Sequence, residues 1–436
     1  MKTITILDRT ELTQWNIDNT ILSTTNFWVN STPEFAASTR NYLKQQDIEY
    51  KVSKFDDIDK TKPWLIYTSV EFPFTINIHN KEQVASKQLF QGIPDAVINE
   101  LVNGNAYIML SSEYEAYSKS YFDLFYALYR NNPIVPANKI ITMHVAYNIH
   151  ELYDRYCTNN NIPQEDRIQF WFSPHILMGP IAHHSYLYKK TPTNKSKKFI
   201  SLNRLPRPHR VALTSLLSEY NLLNYGYISL GVLEDNKFQS YNDLLSYVES
   251  DMPRLYNLDK QGEMFNLMLS GSKKLVEALP LVIDDTDFKF KPTFGYSGSL
   301  VDFYNQSYFS IVGNTYFFAQ EEEAVTLNEK EYKAILSRHP FILNAKPGTL
   351  ALLKDIGFQT FDRWFDESYD LETDDQTRML KLVNEIDRLC KIDNDTWDRM
   401  IEEMMPIIEH NYDWLVNHTN DIIFSLDLKN ILEFAV

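Results

Sequence analysis

The segment Lys197–Arg210, KKFISLNRLPRPHR, joins a predicted strand to a predicted helix through a basic turn. Its apolar run at 199–202 is typical of a buried strand, and a helical pattern begins at Val211. The turn between them carries Arg204, Arg207, His209 and Arg210. A helix N-terminus offers unpaired N–H groups, and arginine side chains bind phosphate as planar forks. The segment therefore predicts an anion-binding site, although an exposed loop of solvated arginines would contain the same residues.

The composition describes a globular protein with an excess of negative charge. The chain has 436 residues, a formal net charge of -16, 44% hydrophobic and 14% aromatic residues. This length favours two domains, and the net charge argues against broad non-specific binding to nucleic acid or to anionic membranes. Two distant cysteines without metal-ligand spacing exclude a disulfide scaffold, and no apolar run approaches the ~20 residues of a membrane span. We expect a soluble cytoplasmic protein.

Short β-rich runs alternate with helical patterns in both halves of the chain, which predicts mostly parallel sheets covered by helices. The predicted strands are 3–7, 64–68, 106–110, 139–143, 167–172, 199–202, 227–230, 309–312 and 341–343. The predicted helices are 97–102, 117–129, 150–157, 211–219, helices within 240–275, one from 329, 348–355, and most of the chain after 362. A polar stretch at 186–198 separates the two halves. The sequence thus predicts two α/β domains, at 1–188 and 189–400, and closing C-terminal helices at 401–436.

A second group of polar residues stands at the start of the helix predicted from residue 329. Asn328 is a plausible N-cap, and Glu329 and Lys333 share one helix face. A carboxylate at a helix start can accept ribose hydroxyls while a lysine one turn later meets phosphate. An exposed Glu–Lys pair that merely supports the helix would give the same pattern. Farther on, Pro347-Gly348 predicts a turn that brings another helix N-terminus to the same sheet edge.

The chain resembles the glycosyltransferases of large bacterial-virus genomes, which are distant relatives of the fucosyltransferase and exostosin type. The resemblance rests on FISLNRLPRPHR, FSIVGNT, VTLNEKEYKAILSRHPFI and PGTLALLKDIGFQTFDRWFDESYD, and it covers most of 198–412. The first half matches only loosely, through IPDAVINELVNGNAYIMLSSE and the segment 140–157. The relatives open the acidic helix with Thr-Glu-Lys, where this chain has Asn328-Glu329-Lys330. The resemblance implies a GT-B fold, in which two Rossmann-like domains face each other across a cleft.

The resemblance also implies a nucleotide-diphosphate sugar donor in the C-terminal domain, with no catalytic metal and no other cofactor. Glu329 would hold ribose or sugar hydroxyls, while Arg204, Arg207 and Lys333 would face the diphosphate. The remaining implied donor contacts are Asn203, Arg210 and Lys330. Arg207 would also stabilise the leaving group, which makes it a catalytic candidate.

The acceptor hydroxyl needs a general base, which we expect from the N-terminal domain. Glu113 follows a predicted strand and is the first candidate; Glu71, Glu115 and His144 are further candidates. Asp284-Asp285-Thr286-Asp287 is interpreted as a polar turn and not as a metal site, and His183-His184 lacks partners at ligand spacing.

Several functions remain open at this point. The main hypothesis is glycosyl transfer, and by analogy with viral genome modification the acceptor would be a hydroxymethylated base in double-stranded DNA. Lysines near 189–198 and the arginines could form a local strip that faces DNA. A glycan or lipid-linked acceptor is the alternative within the enzyme class. A non-catalytic protein whose basic turn binds nucleic acid or a phosphorylated partner is the alternative outside it.

Overall fold

The chain divides into two compact units, each built around its own sheet. The first comprises Met1–Gly179 and Thr419–Val436, and the second comprises Pro180–His418. The computed structural model describes residues 2–7, 22–23, 48–70, 89–90, 93–111, 118–131, 133–172, 195–203, 205–231, 243–281, 283, 300–319 and 324–418. The predicted boundary at 188 and the boundary at Gly179 both fall outside these residues. The predicted boundary between 400 and 401 falls inside a continuous helix, Asn394–Asn417.

The first unit contains a seven-stranded sheet in which all pairings but one are parallel. Its strands run β1 Lys2–Leu7, β2 Leu22–Ser23, β3 Ile48–Ser53, β4 Trp64–Val70, β5 Ala106–Ser111, β6 Ile140–His144 and β7 Gln169–Phe172. The order across the sheet is β3-β1-β4-β5-β6-β7, and β2 pairs antiparallel with β4. Strands of this kind are buried on both faces, which explains the nearly continuous apolar runs of β4 and β5.

Aromatic side chains form much of the core of the first unit. Its α-helices are α1 Asp95–Asn103, α2 Ser118–Asn131 and α3 Ile149–Asn159, with 3-10 turns at Phe55–Asp57, Ala137–Lys139 and Gln164–Asp166. Phe170 of β7 lies 4.4 Å from the ring of Tyr153 in α3 and 5.0 Å from that of Phe122 in α2, between ring centroids. Tyr121 packs edge-on against the same ring at 5.8 Å. These contacts hold α2 and α3 against the side of the sheet that contains β7.

The second unit contains a four-stranded parallel sheet. Its strands are β8 Phe199–Asn203, β9 Gly226–Leu230, β10 Phe309–Gly313 and β11 Phe341–Asn344. The order is β11-β10-β8-β9, so the chain moves outward from β8 in one direction and from β10 in the other. All five residues of β10 are buried, as expected for a central strand. Trp397 stacks on Phe309 of this strand at 5.4 Å between ring centroids.

Helices surround this sheet and continue to residue 417. They are α4 Pro208–Glu219, α5 Leu244–Ser246, α6 Met252–Tyr256, α7 Glu263–Ala278, α8 Val301–Asn305, α9 Glu329–Leu336, α10 Thr349–Asp355, α11 Asp375–Lys391 and α12 Asn394–Asn417. A π-helical stretch, Tyr247–Asp251, joins α5 to α6, and 3-10 turns lie at Leu223–Tyr225 and Ser368–Leu371. Helices α4 and α7 approach closely, because a Cβ at Gly271 would overlap the carbonyl oxygen of Ser215.

The predicted strands, and the predicted helices up to residue 417, are confirmed to within a few residues, and so is the alternation that produces two parallel sheets. Residues 419–436, which were also predicted to be mainly helical, lie outside the described part of the chain. Strands β2 and β3 and helix α8 were not predicted. Both cysteines are buried and free, as expected for a chain without a disulfide scaffold. Among the helices that the structure describes, none is both long and apolar enough to cross a membrane.

Candidate functional site

The carboxyl ends of β8 and β10 lie side by side at the point where the strand order of the second unit reverses. The two strands pair in parallel from Phe309↔Phe199 to Ile311↔Ser201, so Asn203 and Gly313 end at the same sheet edge. Asn344 ends the neighbouring strand β11, in register with Gly313. In open α/β sheets, ligands bind beyond the carboxyl ends of strands at such a reversal. The basic turn predicted from the sequence leaves the sheet at this position.

Arg207 begins α4. It is the N-cap residue, with Pro208 at the first helical position, and its carbonyl accepts hydrogen bonds from Arg210 N at 2.9 Å and Val211 N at 3.0 Å. No side chain caps this helix. The half-buried Arg207 guanidinium lies 5.9 Å from the ring centroid of Tyr316, which follows β10. A fixed cation therefore stands at a helix N-terminus on the strand-reversal edge. Arg204 lies outside the described residues.

Arg210 lies inside the second unit, with 2% of its surface exposed. Its Nη2 donates to the carbonyls of Gly313 at 2.8 Å and Asn314 at 2.7 Å, and its Nη1 donates to Leu205 O at 3.1 Å. A Cβ at Gly313 would come within 3.0 Å of Arg210 Nε and 3.2 Å of Asn203 Oδ1. Arg210 was predicted to face a donor; in this structure its guanidinium ties the basic turn to the end of β10.

Asn203 is also buried. Its side-chain amide donates to Ser201 Oγ at 3.0 Å, and its backbone N–H donates to Ser229 Oγ at 3.1 Å. Its backbone carbonyl accepts from Gly231 N at 3.1 Å, which extends the β8–β9 pairing. These bonds fix the last residue of β8 where the chain turns toward Arg207.

The loop that follows β10 is held by buried cationic and aromatic side chains. His209 Nε2 lies 2.9 Å from Asn314 O, and because a carbonyl only accepts, this nitrogen carries the proton. Arg378 donates to Phe317 O at 2.6 Å, and Lys346 donates to Phe318 O at 2.8 Å. The loop has no regular secondary structure, yet residues 314–318 are all buried. Side chains thus bind the buried carbonyls of Asn314, Phe317 and Phe318, which offsets the cost of removing these groups from water.

Glu331 joins this loop to the start of α9. Its carboxylate accepts from Asn314 Nδ2 at 2.8 Å and from Asn328 N at 2.9 Å. Asn328 in turn accepts from Lys330 N at 2.9 Å, which completes a capping box. Burial raises the pKa of Glu331 to about 7, because the carboxylate has no exposed surface and ionisation in a low dielectric is costly. Asn328 is confirmed as the N-cap, whereas Glu331 and Asn314 were not predicted as members of the site.

Three of the predicted donor contacts lie on α9. Glu329 is the first residue of the helix, and its side chain is outside the described part of the chain. Lys330 is half-buried, with its Nζ 3.4 Å from Asn328 Oδ1, and Lys333 is half-buried one turn later. Asn328 Nδ2 lies 3.4 Å from Thr315 Oγ1, which links the start of α9 to the loop that Arg210 holds. The two segments singled out in the sequence are thus connected through the loop after β10.

The turn predicted at Pro347-Gly348 and the helix start that follows it are confirmed, and a carboxyl group of the chain binds this helix start. The backbone N–H of Leu350 donates to both carboxylate oxygens of Asp370 at 3.2 Å, and Gly348 N donates to Asp370 O at 2.9 Å. Asp370 is buried, and this burial raises its pKa. A carboxyl group from the chain itself therefore occupies the start of α10.

Most of the predicted bases lie outside the described residues. These are Glu71, Glu113 and Glu115, and the same holds for His183-His184 and Asp284–Asp287. His144, at the end of β6, is buried, and burial lowers its pKa to about 3, so its imidazole is a weak base. Among the residues that the structure describes, no group of three or more His, Cys, Asp or Glu side chains could hold a metal ion.

Comparison with known proteins found no matching protein-family model and no matching curated protein. Among solved structures, alpha,alpha-trehalose 6-phosphate synthase from Burkholderia multivorans is similar with a TM-score of 0.37 and 10% sequence identity. The similarity covers 86% of this chain and 71% of that protein. It is a distant similarity, and the function proposed below is argued from the residues of this chain.

Proposed function

We propose that the protein is a glycosyltransferase of the GT-B type, which moves a sugar from a nucleotide-diphosphate donor to an acceptor hydroxyl. The observation that carries this proposal is the position of Arg207, a fixed cation at the uncapped start of α4 on the strand-reversal edge of a parallel sheet. Such an edge is where α/β folds bind nucleotides, and a helix N-terminus favours phosphate. In this proposal residues 1–188 form the acceptor domain, 189–400 the donor domain, and 401–436 the closing helices.

The donor diphosphate would contact Arg207 and Arg204 on one side and Lys330 and Lys333 of α9 on the other, with Glu329 at the ribose or sugar hydroxyls. Arg210 and Asn203 are buried, and in this proposal they position the residues that contact the donor. The buried Arg210 guanidinium fixes the backbone of Gly313 and Asn314, and this backbone leads to Tyr316 beneath Arg207. Pre-organised charges of this kind need no reorganisation when negative charge develops during reaction.

In the proposed reaction, the bond between the sugar anomeric carbon and the diphosphate oxygen breaks, and the nucleoside diphosphate leaves with the electron pair. The acceptor oxygen forms the new bond to the same carbon and gives its proton to a base, for which Glu113 is the first candidate. The guanidinium of Arg207 would stabilise the charge on the leaving diphosphate. The reaction requires no redox cofactor, and the donor is a co-substrate.

The acceptor is proposed as a hydroxymethylated base in double-stranded DNA, with a glycan as the alternative. The net charge of -16 weakens any attraction to DNA. Binding to DNA would then depend on a local strip formed by Lys195, Lys197 and Lys198 with the arginines of the basic turn. Lys198 donates hydrogen bonds to Ile392 O and to Asn394 Oδ1, both at 2.6 Å. Its ammonium group is therefore engaged within the second unit and would contribute less to binding DNA.

A donor screen tests the proposal. The purified protein would be incubated with a panel of nucleotide-diphosphate sugars and three acceptors: hydroxymethylcytosine DNA, unmodified DNA and a set of free glycans. We expect one donor to raise the melting temperature and to release nucleoside diphosphate, with sugar transferred to one acceptor class by mass spectrometry. If no donor is bound or turned over, the enzyme proposal fails. Binding of DNA or of a phosphopeptide without any donor would support the non-catalytic alternative.

A further inference from the structure

His144 ends strand β6 in the first unit, at the edge where two helices begin. Strand β5 pairs with β6 up to Ser111↔Met143, so their carboxyl ends are adjacent. Helix α2 follows β5 and helix α3 follows β6, and therefore both helices start at this edge. N-termini of helices present backbone N–H groups. Hydrogen-bond donors are thus concentrated around the end of β6.

The tautomer of His144 follows from its contacts. Its Nδ1 accepts a hydrogen bond from Ala146 N at 3.1 Å, so Nδ1 carries no proton. The proton of a neutral imidazole must then lie on Nε2, which makes Nε2 a donor. The edge-on ring of Tyr121, 5.4 Å away between ring centroids, holds the imidazole in this orientation. The residue is 1% exposed, so its neighbours in the first unit fix the orientation of the ring.

No hydrogen-bond acceptor reaches His144 Nε2 within the structure as described. A buried donor without a partner costs about 1–3 kcal/mol, and folded proteins leave few such groups. The fold therefore maintains, at the carboxyl edge of a parallel sheet, a fixed N–H group for which the described residues supply no acceptor. A ligand oxygen would supply that acceptor.

The chemistry of the surroundings limits the kind of oxygen. Burial lowers the pKa of His144 to about 3, so the imidazole donates without carrying charge. On α2, Lys119 is exposed and its charge is paired with Asp123 at 2.8 Å. On α3, His150 and Glu151 of the first turn are exposed. In the described first turns of α2 and α3, no cation is placed to neutralise a bound phosphate or carboxylate. This favours a ligand whose oxygen belongs to an uncharged hydroxyl or carbonyl group.

We propose that the carboxyl end of β6 is a binding site for an uncharged oxygen ligand, a polyol or a carbonyl compound, whose oxygen accepts the hydrogen bond from His144 Nε2–H. The proposal goes beyond glycosyl transfer and does not depend on it, because the contact is a binding contact in the first unit. In this role His144 is a donor to the ligand and not a general base.

Nuclear magnetic resonance of the full chain labelled with 15N-histidine tests the site. The long-range 1H–15N spectrum should show His144 as the Nε2-protonated tautomer at neutral pH. Glucose, as the hydroxyl probe, or acetamide, as the carbonyl probe, should move the Nε2 resonance saturably, and inorganic phosphate should not. The probe that acts identifies the ligand class. An Nδ1-protonated or doubly protonated ring, no saturable shift with either neutral probe, or a shift with phosphate alone would overturn the proposal.

A pair of variants supplies a readout that does not depend on the histidine signal. In His144→Gln the side-chain amide can still donate, so binding of the active probe, followed by its own ligand-observed signals, should weaken by no more than about tenfold. In His144→Phe the ring packing against Tyr121 is kept, but the donor to the ligand and the acceptor for Ala146 N are both lost. Binding should therefore disappear, and the melting temperature should fall modestly while the protein stays folded. Equal binding by His144→Phe and the wild type refutes the site. If the Phe variant fails to fold, the wild-type spectra still decide.

Discussion

The Glu331 carboxylate accepts a hydrogen bond of 2.8 Å from the side-chain amide of Asn314, inside a region closed to solvent. Asn314 follows the central strand β10, and Glu331 lies in the first turn of α9, so this bond couples the sheet edge to the helix that carries Lys330 and Lys333. An ionisable group at such a junction makes the coupling sensitive to protonation.

The first prediction concerns the pH dependence of stability. The folded-state pKa of Glu331 is about 7 and its ordinary value is 4.5, so the folded state favours the protonated carboxyl. The stabilisation is therefore fully present below pH 4.5 and is lost as the pH rises to about 7. The loss in free energy of unfolding is on the order of 3 kcal/mol. Urea unfolding of the wild type across this range measures it.

The matched variants for this prediction are Glu331→Gln and Glu402→Gln, the latter at an exposed position of α12. Glu331→Gln has no ionisable group at the junction, so the part of the pH dependence that comes from Glu331 should vanish. Its stability at acid pH should drop, because the amide has a single acceptor oxygen for the two donors, Asn314 Nδ2 and Asn328 N. Glu402→Gln should keep the wild-type slope. An unchanged slope in Glu331→Gln would contradict the assignment.

Gly313 and Arg210 should be energetically coupled. A Cβ at position 313 would come within 3.0 Å of Arg210 Nε and 3.2 Å of its Cγ. We expect Gly313→Ala to destabilise the protein by about 1–3 kcal/mol through this crowding. In an Arg210→Ala background the same change should cost at least about 0.5 kcal/mol less. If the changes in unfolding free energy are strictly additive in the double-mutant cycle, crowding between Arg210 and a Cβ at position 313 is not the reason why Gly313→Ala destabilises the protein.

Arg207 should matter for activity more than for stability. Because its guanidinium is half-buried and lies over the ring of Tyr316, Arg207→Ala should change the free energy of unfolding by less than about 1 kcal/mol. The donor-induced rise in melting temperature and nucleoside diphosphate release should both be lost. Arg254→Ala, which removes an exposed arginine paired with Asp251, is the control and should leave both unchanged. Wild-type turnover in Arg207→Ala would remove this residue from the site.

Glu329 is predicted to bind donor hydroxyls, so Glu329→Ala should abolish turnover while the protein stays folded. Its position at the first residue of α9 also places it near the positive end of the helix dipole, and the loss there is limited to about 0.3–1 kcal/mol. Turnover assays with the active donor, together with a melting curve, check both parts. Glu402→Ala provides a comparison carboxylate on α12 away from the predicted contacts.

The sequence predicts most of the fold because its strands are apolar runs bounded by polar turns. Strand β3 was missed although Ile48, Tyr50 and Val52 alternate with charged residues, a period-two pattern that indicates a strand. Among the described strands, β3 pairs with β1 at the edge of the sheet, and its alternation with charged residues makes it more polar than the apolar runs of the central strands.

The candidate site was predicted less completely. The turn at Arg207 and the N-cap at Asn328 are local features, and local patterns reveal them. The burial of the Arg210 side chain cannot be read from a local pattern. It depends on β8 lying beside β10, and on the space left because Gly313 has no Cβ. Glu331 had a local signal, since Asn328 followed three residues later by a glutamate is a capping-box pattern. Its bond to Asn314 comes from the fold.

The loop from Asn314 to Phe318 has a consequence for experiments that follow backbone exposure. Its carbonyls at Asn314, Phe317 and Phe318 are bound by the side chains of His209, Arg210, Arg378 and Lys346, and all five of its residues are buried. Local opening would require several buried cations to lose their acceptors together. Although the segment is irregular, its amide hydrogens should exchange with solvent as slowly as those of β10, and proteases should leave it intact.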